Sequence, residues 1–151
     1  GNDLPTGQTG RIIITHSAGR DMRLESGGLG YLDADGFLFI TGREAQIACR
    51  NAVNINLGEI QDDVLALPGM RDCIAFSIPG PGAVGDHIAL AVETSLDPAE
   101  VETALKRALP ALRRPDIVHI SQRLPRTASE KLALAELRDA AIAGDARFHP
   151  L

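Results

Sequence analysis

One stretch constrains the fold of this chain more than any other. It runs Gly36-Phe37-Leu38-Phe39-Ile40-Thr41-Gly42-Arg43 and continues through Asn54-Ile55-Asn56-Leu57-Gly58-Glu59-Ile60. Phe37 and Phe39 alternate with Leu38 and Ile40, so both faces of that segment are apolar, as in a buried strand. Gly42 is free to take the positive φ of a sharp reversal, and Arg43 puts a permanent cation at the bend. Residues 46–50 read as the returning strand. Asn56 and Glu59 have the spacing of a capping box. Leu57, Ile60, Val64 and Leu67 follow at steps of three and four, one apolar helical face that Pro68-Gly69 ends.

Upstream, Arg11-Ile12-Ile13-Ile14-Thr15 is a β-branched strand. Residues 17–21 read as a polar connection and Ser26-Gly27-Gly28-Leu29-Gly30 as a glycine-rich loop. Asp33-Ala34-Asp35-Gly36 is a turn that favours a hairpin into the opening stretch. Downstream the pattern alternates. Cys73–Ile78 and His87–Val92 are strands, and Asp97 with Pro98 and Glu100 opens a second helix. Ile117-Val118-His119-Ile120 is a further strand. Leu124-Pro125-Arg126-Thr127-Ala128-Ser129-Glu130-Lys131 reads as an exposed loop leading into a last helix that Gly144 ends.

The expected fold class is therefore α+β. A small antiparallel β piece, residues 1–43, precedes a compact domain, residues 44–144, with a roughly three-stranded sheet flanked by helices over 57–67, 98–109 and 129–143. Residues 145–151 are expected as a tail.

Composition narrows the function. Aromatic residues are 3% of the 151, with no Trp, which argues against base-stacking nucleic-acid binding. A net charge of −5 argues against a phosphate-tracking surface, so no nucleic-acid partner is expected. No apolar run approaches membrane-spanning length and no secretory signal is present, so a cytoplasmic protein without a membrane partner is expected. Cys49 and Cys73 lack a CxxC spacing and read as small buried side chains, with no metal site. His16, His87, His119 and His149 are scattered, with no nucleophile motif beside them.

Three ordered motifs carry a resemblance. Ser26-Gly27-Gly28-Leu29 with Gly36 to Arg43, then Asn54 to Gln61, then Leu124 to Lys131 resemble the C-terminal part of the adenylate-forming ligases: acyl- and aryl-CoA synthetases, peptide-synthetase adenylation domains and luciferases. The resemblance implies a two-step reaction, in which an acid attacks the α-phosphate of ATP and a thiol then displaces AMP. It implies that Lys131 is the catalytic lysine, offsetting transition-state charge, and that Arg43 is a cofactor-binding residue at the ribose. ATP and AMP belong to the complete enzyme only; none is expected on the isolated chain. The implied partners are an N-terminal adenylation domain or synthetase and a carrier protein or CoA.

The departures from the motifs matter as much. The family's ribose-gripping aspartate is Gly28 here, its hinge residue is Ala45, its two acceptor-side glycines fall at Asn51 and Ala52, and the glycine before the lysine is Glu130. The expected function is the C-terminal portion of an adenylate-forming ligase, not competent alone. The alternative is a degenerate, non-catalytic binding or scaffold module for a carrier protein or synthetase. Open β edges would also invite pairing with a second copy.

Overall fold

The structure is a computed structural model that describes residues 3–16, 22–43, 46–80 and 85–151. The chain divides into two compact units, Gly1–Ala45 and Gln46–Leu151. The connection expected at 17–21, position 45 and the Pro81-Gly82 bend lie outside the described residues.

The first unit is an antiparallel sheet of β1 (Gly10–His16), β2 (Met22–Leu32) and β3 (Leu38–Arg43), in that order. The turn expected at Asp33–Gly36 joins β2 to β3: the Asp33 carboxylate accepts from the Asp35 and Phe37 amides at 3.0 and 2.9 Å. Three expectations are corrected here. Residues 26–30 belong to β2 rather than to a loop, and at Gly30 the missing side chain lets β3 approach closely; a Cβ there would lie 2.5 Å from the Phe39 carbonyl oxygen. The chain does not reverse at Gly42, since β3 stays paired with β2 through Arg43. Nor is β3 buried. Ile40 is 74% exposed, Leu38 and Phe39 are exposed too, and so is Phe37 just before the strand, at 68%. A lone three-stranded sheet has no second layer with which to cover either face.

The second unit begins with a hairpin of β4 (Ile47–Arg50) and β5 (Val53–Asn56). The strand read as returning onto β3 pairs instead with β5. Helix α1 (Leu57–Leu65) follows at once. Its cap Asn56 accepts from the Gly58 amide at 2.9 Å, while Glu59 turns outward to Arg113 at 3.6 Å rather than closing a capping box. A four-stranded sheet comprises β6 (Met70–Pro79), β7 (Asp86–Thr94), β8 (Ile117–Ser121) and β9 (His149–Pro150). Only the β7–β8 pairing is parallel, and α2 (Pro98–Ala108), capped by Asp97, lies in that crossover.

The sheet is buried on both faces with strict alternation. Ile88, Leu90 and Val92 of β7 join Leu57, Ile60 and Val64 of α1 and Val101 and Leu105 of α2 in one core. Ala89 and Ala91 point the other way, with Phe76 and Ile78 of β6, onto Leu137 and Ala141 of α3 (Leu134–Ile142). Each of the large fully buried side chains contributes about 1.5–3 kcal/mol relative to exposure.

Three further expectations are corrected in this unit. The fourth strand comes from the segment expected as a tail: β9 pairs with β8, Phe148 packs edge-on to Phe76 with centroids 6.1 Å apart, and Leu151 rests on the first core. Apolar burial and a free sheet edge hold it down. The last helix starts at Leu134, not 129, because Glu130 has φ +61°, outside the helical region. Cys49 is exposed and only Cys73 is buried. Among the described residues no helix is long and apolar enough to cross a membrane, and no cluster of potential metal ligands occurs.

Candidate functional site

Lys131 lies at the exposed end of a tight hairpin between β8 and α3. The hairpin is built by its own backbone. Glu130 donates to the Thr127 carbonyl at 2.9 Å, Thr127 to the Lys131 carbonyl at 2.8 Å, and Ala133 to the Pro125 carbonyl at 2.9 Å, with Arg126 bridged to Leu132. The Thr127 and Ser129 hydroxyls meet at 3.1 Å across the turn. At the root, Leu124 is 2% exposed and packs in the core beneath α3, so an apolar anchor holds the base of a polar loop. Among the described residues, none of the ion pairs involves Lys131. Its ammonium is thus available to an anionic ligand.

Below the hairpin, Asp72 of β6 and Glu93 of β7 are direct cross-strand partners. Arg126 Nη2 contacts Asp72 Oδ2 at 2.9 Å and Glu93 Oε2 at 3.2 Å, and the Leu124 amide donates to Glu93 Oε2 at 3.0 Å. The Leu124 amide and then Arg126, together outweighing desolvation, hold the Glu93 carboxyl below its ordinary value. Sequence reasoning missed Asp72, Glu93 and Arg126, since nothing local marks residues 33 and 54 positions apart as partners.

Arg43 ends β3, with Gly28 of β2 as its cross-strand partner. Strand register thus brings together two positions that the sequence keeps fifteen apart, and one is the position where the resembled family carries its ribose-gripping aspartate. With glycine there, the pair offers no carboxylate. Arg43 belongs to the first unit and Lys131 to the second.

The β4–β5 hairpin closes through Asn51 and Ala52, with φ of +51° and +60°. Two successive left-handed residues are the signature of a two-residue type I′ turn, in which glycine is the least strained occupant. Arg50 anchors this hairpin: it donates to the Leu112 and Arg114 carbonyls at 2.9 and 2.8 Å and pairs with Asp116. Asp116 also accepts from the Ile88 amide at 2.7 Å, and Asp86 accepts from the Cys49 amide at 2.8 Å. Glu130 is the third left-handed non-glycine among the described residues. All three stand where the resembled family has glycine.

No family model matches the chain. Among curated proteins, it is 32% identical over 114 residues to the 2-succinylbenzoate–CoA ligase of Lactococcus lactis, covering 76% of this chain and 25% of that protein. It is 28% identical over 141 residues to a feruloyl-CoA synthase of an Amycolatopsis species, covering 91% and 29%. Among solved structures, ATP-bound MatB of Rhodopseudomonas palustris superposes with a TM-score of 0.69 at 22% identity, over 94% of this chain and 32% of that one. The chain thus spans between a quarter and a third of the length of these relatives. Matched to CoA ligases over nearly its whole length and sharing their fold, this chain belongs to the adenylate-forming ligase superfamily.

Proposed function

We propose that this chain is the C-terminal portion of an adenylate-forming, acid-activating ligase, incompetent by itself and completed by an N-terminal adenylation domain in cis or in trans. The observation that carries this reading is an exposed, unpaired Lys131 on a hydrogen-bonded hairpin, in a chain homologous to CoA ligases. In the complete site its ammonium would meet the carboxylate and bridging phosphate oxygens and offset the charge that develops as the acyl-adenylate forms. Arg43 would approach the ribose without an aspartate beside it. CoA or a carrier protein would then take the acyl group. Phe37 and the exposed apolar residues of β3, among them Ile40, supply a face for the completing domain to cover.

One set of observations favours a second reading. Gly28 removes the ribose acceptor, and Asn51, Ala52 and Glu130 put side chains on turns shaped for glycine. A relative degenerate at these points would serve as a non-catalytic module that binds a carrier protein or synthetase. Recovery of the tagged chain from its native lysate, with partners identified by mass spectrometry, separates the two. A recovered protein with an N-terminal adenylation domain that exchanges pyrophosphate only when mixed with this chain supports the first reading; a carrier protein or unrelated enzyme, with no mixture exchanging pyrophosphate, supports the second.

A further inference from the structure

The carboxylates of Asp72 and Glu93 face each other across neighbouring strands. Like charges at directly opposed sheet positions are destabilising, so this pair calls for a cation. Arg71 approaches Glu93 Oε1 at only 3.9 Å and also donates to the Gln122 carbonyl. Arg126 makes the close contacts, reaching both carboxylates with one nitrogen while its other, Nη1, donates to the Glu130 carbonyl at 3.1 Å. Glu130 is the residue that most needs holding. A non-glycine at φ +61° is strained, and such a conformation persists only where its surroundings over-determine it. The peptide so held is the one that leads into Lys131.

We propose that Arg126 is a positioning residue for Lys131, with its guanidinium, seated on the Asp72–Glu93 pair, clamping the strained Glu130 peptide to the sheet. This rests on the reading of Lys131 as the acid-activating lysine. The clamp suits a chain that has lost the glycine at position 130: the fork of a guanidinium can serve two carboxylates and a carbonyl at once, which an ammonium on a flexible stem does poorly.

The first arm of the test uses the full chain alone. Amide hydrogen exchange is measured residue by residue in the wild type, in Arg126→Gln and in Asp72→Asn, the milder variant should the first fail to fold. The Thr127 and Glu130 amides are expected to exchange about tenfold faster in both variants, with the β7 amides Ala91 and Val92 unchanged. Unchanged exchange at Thr127 and Glu130 overturns the clamp. The second arm measures pyrophosphate exchange with the completing adenylation domain. Arg126→Gln should lower kcat about tenfold while leaving KM for ATP alone, and should cost nothing further in a Lys131→Ala background. An equal loss in that background means that Arg126 does not act through Lys131 and overturns the proposal. No exchange in any mixture overturns the catalytic reading and the positioning role with it, whereas the amide arm by itself reports on the clamp, so the two failures are distinguishable.

Discussion

Replacing Ala52 by glycine should stabilise the second unit. Ala52 is exposed and sits at φ +60° in the two-residue turn between β4 and β5, where its Cβ crowds the following carbonyl. That conformation costs an L-residue about 1–2 kcal/mol. Glycine relieves the strain but gives the unfolded chain more freedom, an opposing effect of about 0.4–1 kcal/mol. The net expectation for Ala52→Gly is roughly 1 kcal/mol of stabilisation, which in a unit of about 100 residues raises its midpoint by about 5 °C. Urea denaturation followed by circular dichroism, supported by calorimetry, reads both quantities. A parallel Gly69→Ala variant is the control of opposite sign. Gly69 has φ +84°, and a Cβ there would lie 2.7 Å from Leu96 Cδ1, so that substitution should cost at least as much as Ala52→Gly gains. A neutral or destabilising Ala52→Gly would refute the left-handed turn. The reasoning that the family's glycine positions keep their backbone shape without their glycine would fall with it.

Three other expectations are independent of that turn. Arg50→Met leaves Asp116 without its cation and two carbonyls without a donor; since Asp116 is about a third exposed, the loss should be about 2 kcal/mol, read from the shift in urea midpoint. Burial holds His119 below its ordinary value of 6.5, outweighing the Arg147 carbonyl that accepts from Nδ1 at 3.2 Å, with Arg147 and His149 also opposing its charge and Asp145 favouring it. Because the folded state takes up this proton less readily than the unfolded one, the stabilisation is complete above about pH 6.5 and is lost as pH falls from there through the folded value. His119→Gln should flatten the difference between unfolding midpoints taken at about pH 7.5 and about pH 5.5; an unchanged difference would assign the pH dependence elsewhere. Finally, an aromatic disulfide reagent should label exposed Cys49 at once and spare Cys73, which is buried and has its thiol pushed up to about 12, first by burial and then by Asp72 and Asp62; equal labelling of the native protein would contradict the core assignment.

Local chemistry made much of this fold readable. Caps at Asn56 and Asp97, the turn at Asp33–Gly36 and the three-and-four spacing of α1 are each written within a few consecutive residues, and each is present. What escaped was set by distant pairing. Val53–Asn56 is too short to declare itself as a strand until β4 is laid against it, and His149–Pro150 is a strand only because β8 has a free edge. Glycines at 27, 28 and 30 suggest a loop, yet all three lie in β2, where Gly27 takes a positive φ and Gly30 lets the Phe39 carbonyl come close. The apolar run of Phe37–Ile40 implies burial, but no layer of its own sheet supplies it. In the candidate site, Lys131 and its hairpin were visible as a motif, whereas Asp72, Glu93 and Arg126 come together only through the β6–β7 register. The partnership of Gly28 with Arg43 is likewise a product of register.

The most direct test of the central claim is ATP–pyrophosphate exchange with this chain alone, with an N-terminal adenylation domain alone, and with the two mixed. Neither part is expected to exchange by itself, the mixture is expected to exchange in the presence of the matching acid, and Lys131→Ala should remove most of that activity. If the mixture stays inert while both proteins are folded and bound to each other, or if Lys131→Ala exchanges as fast as the wild type, the chain is not the completing part of an acid-activating site.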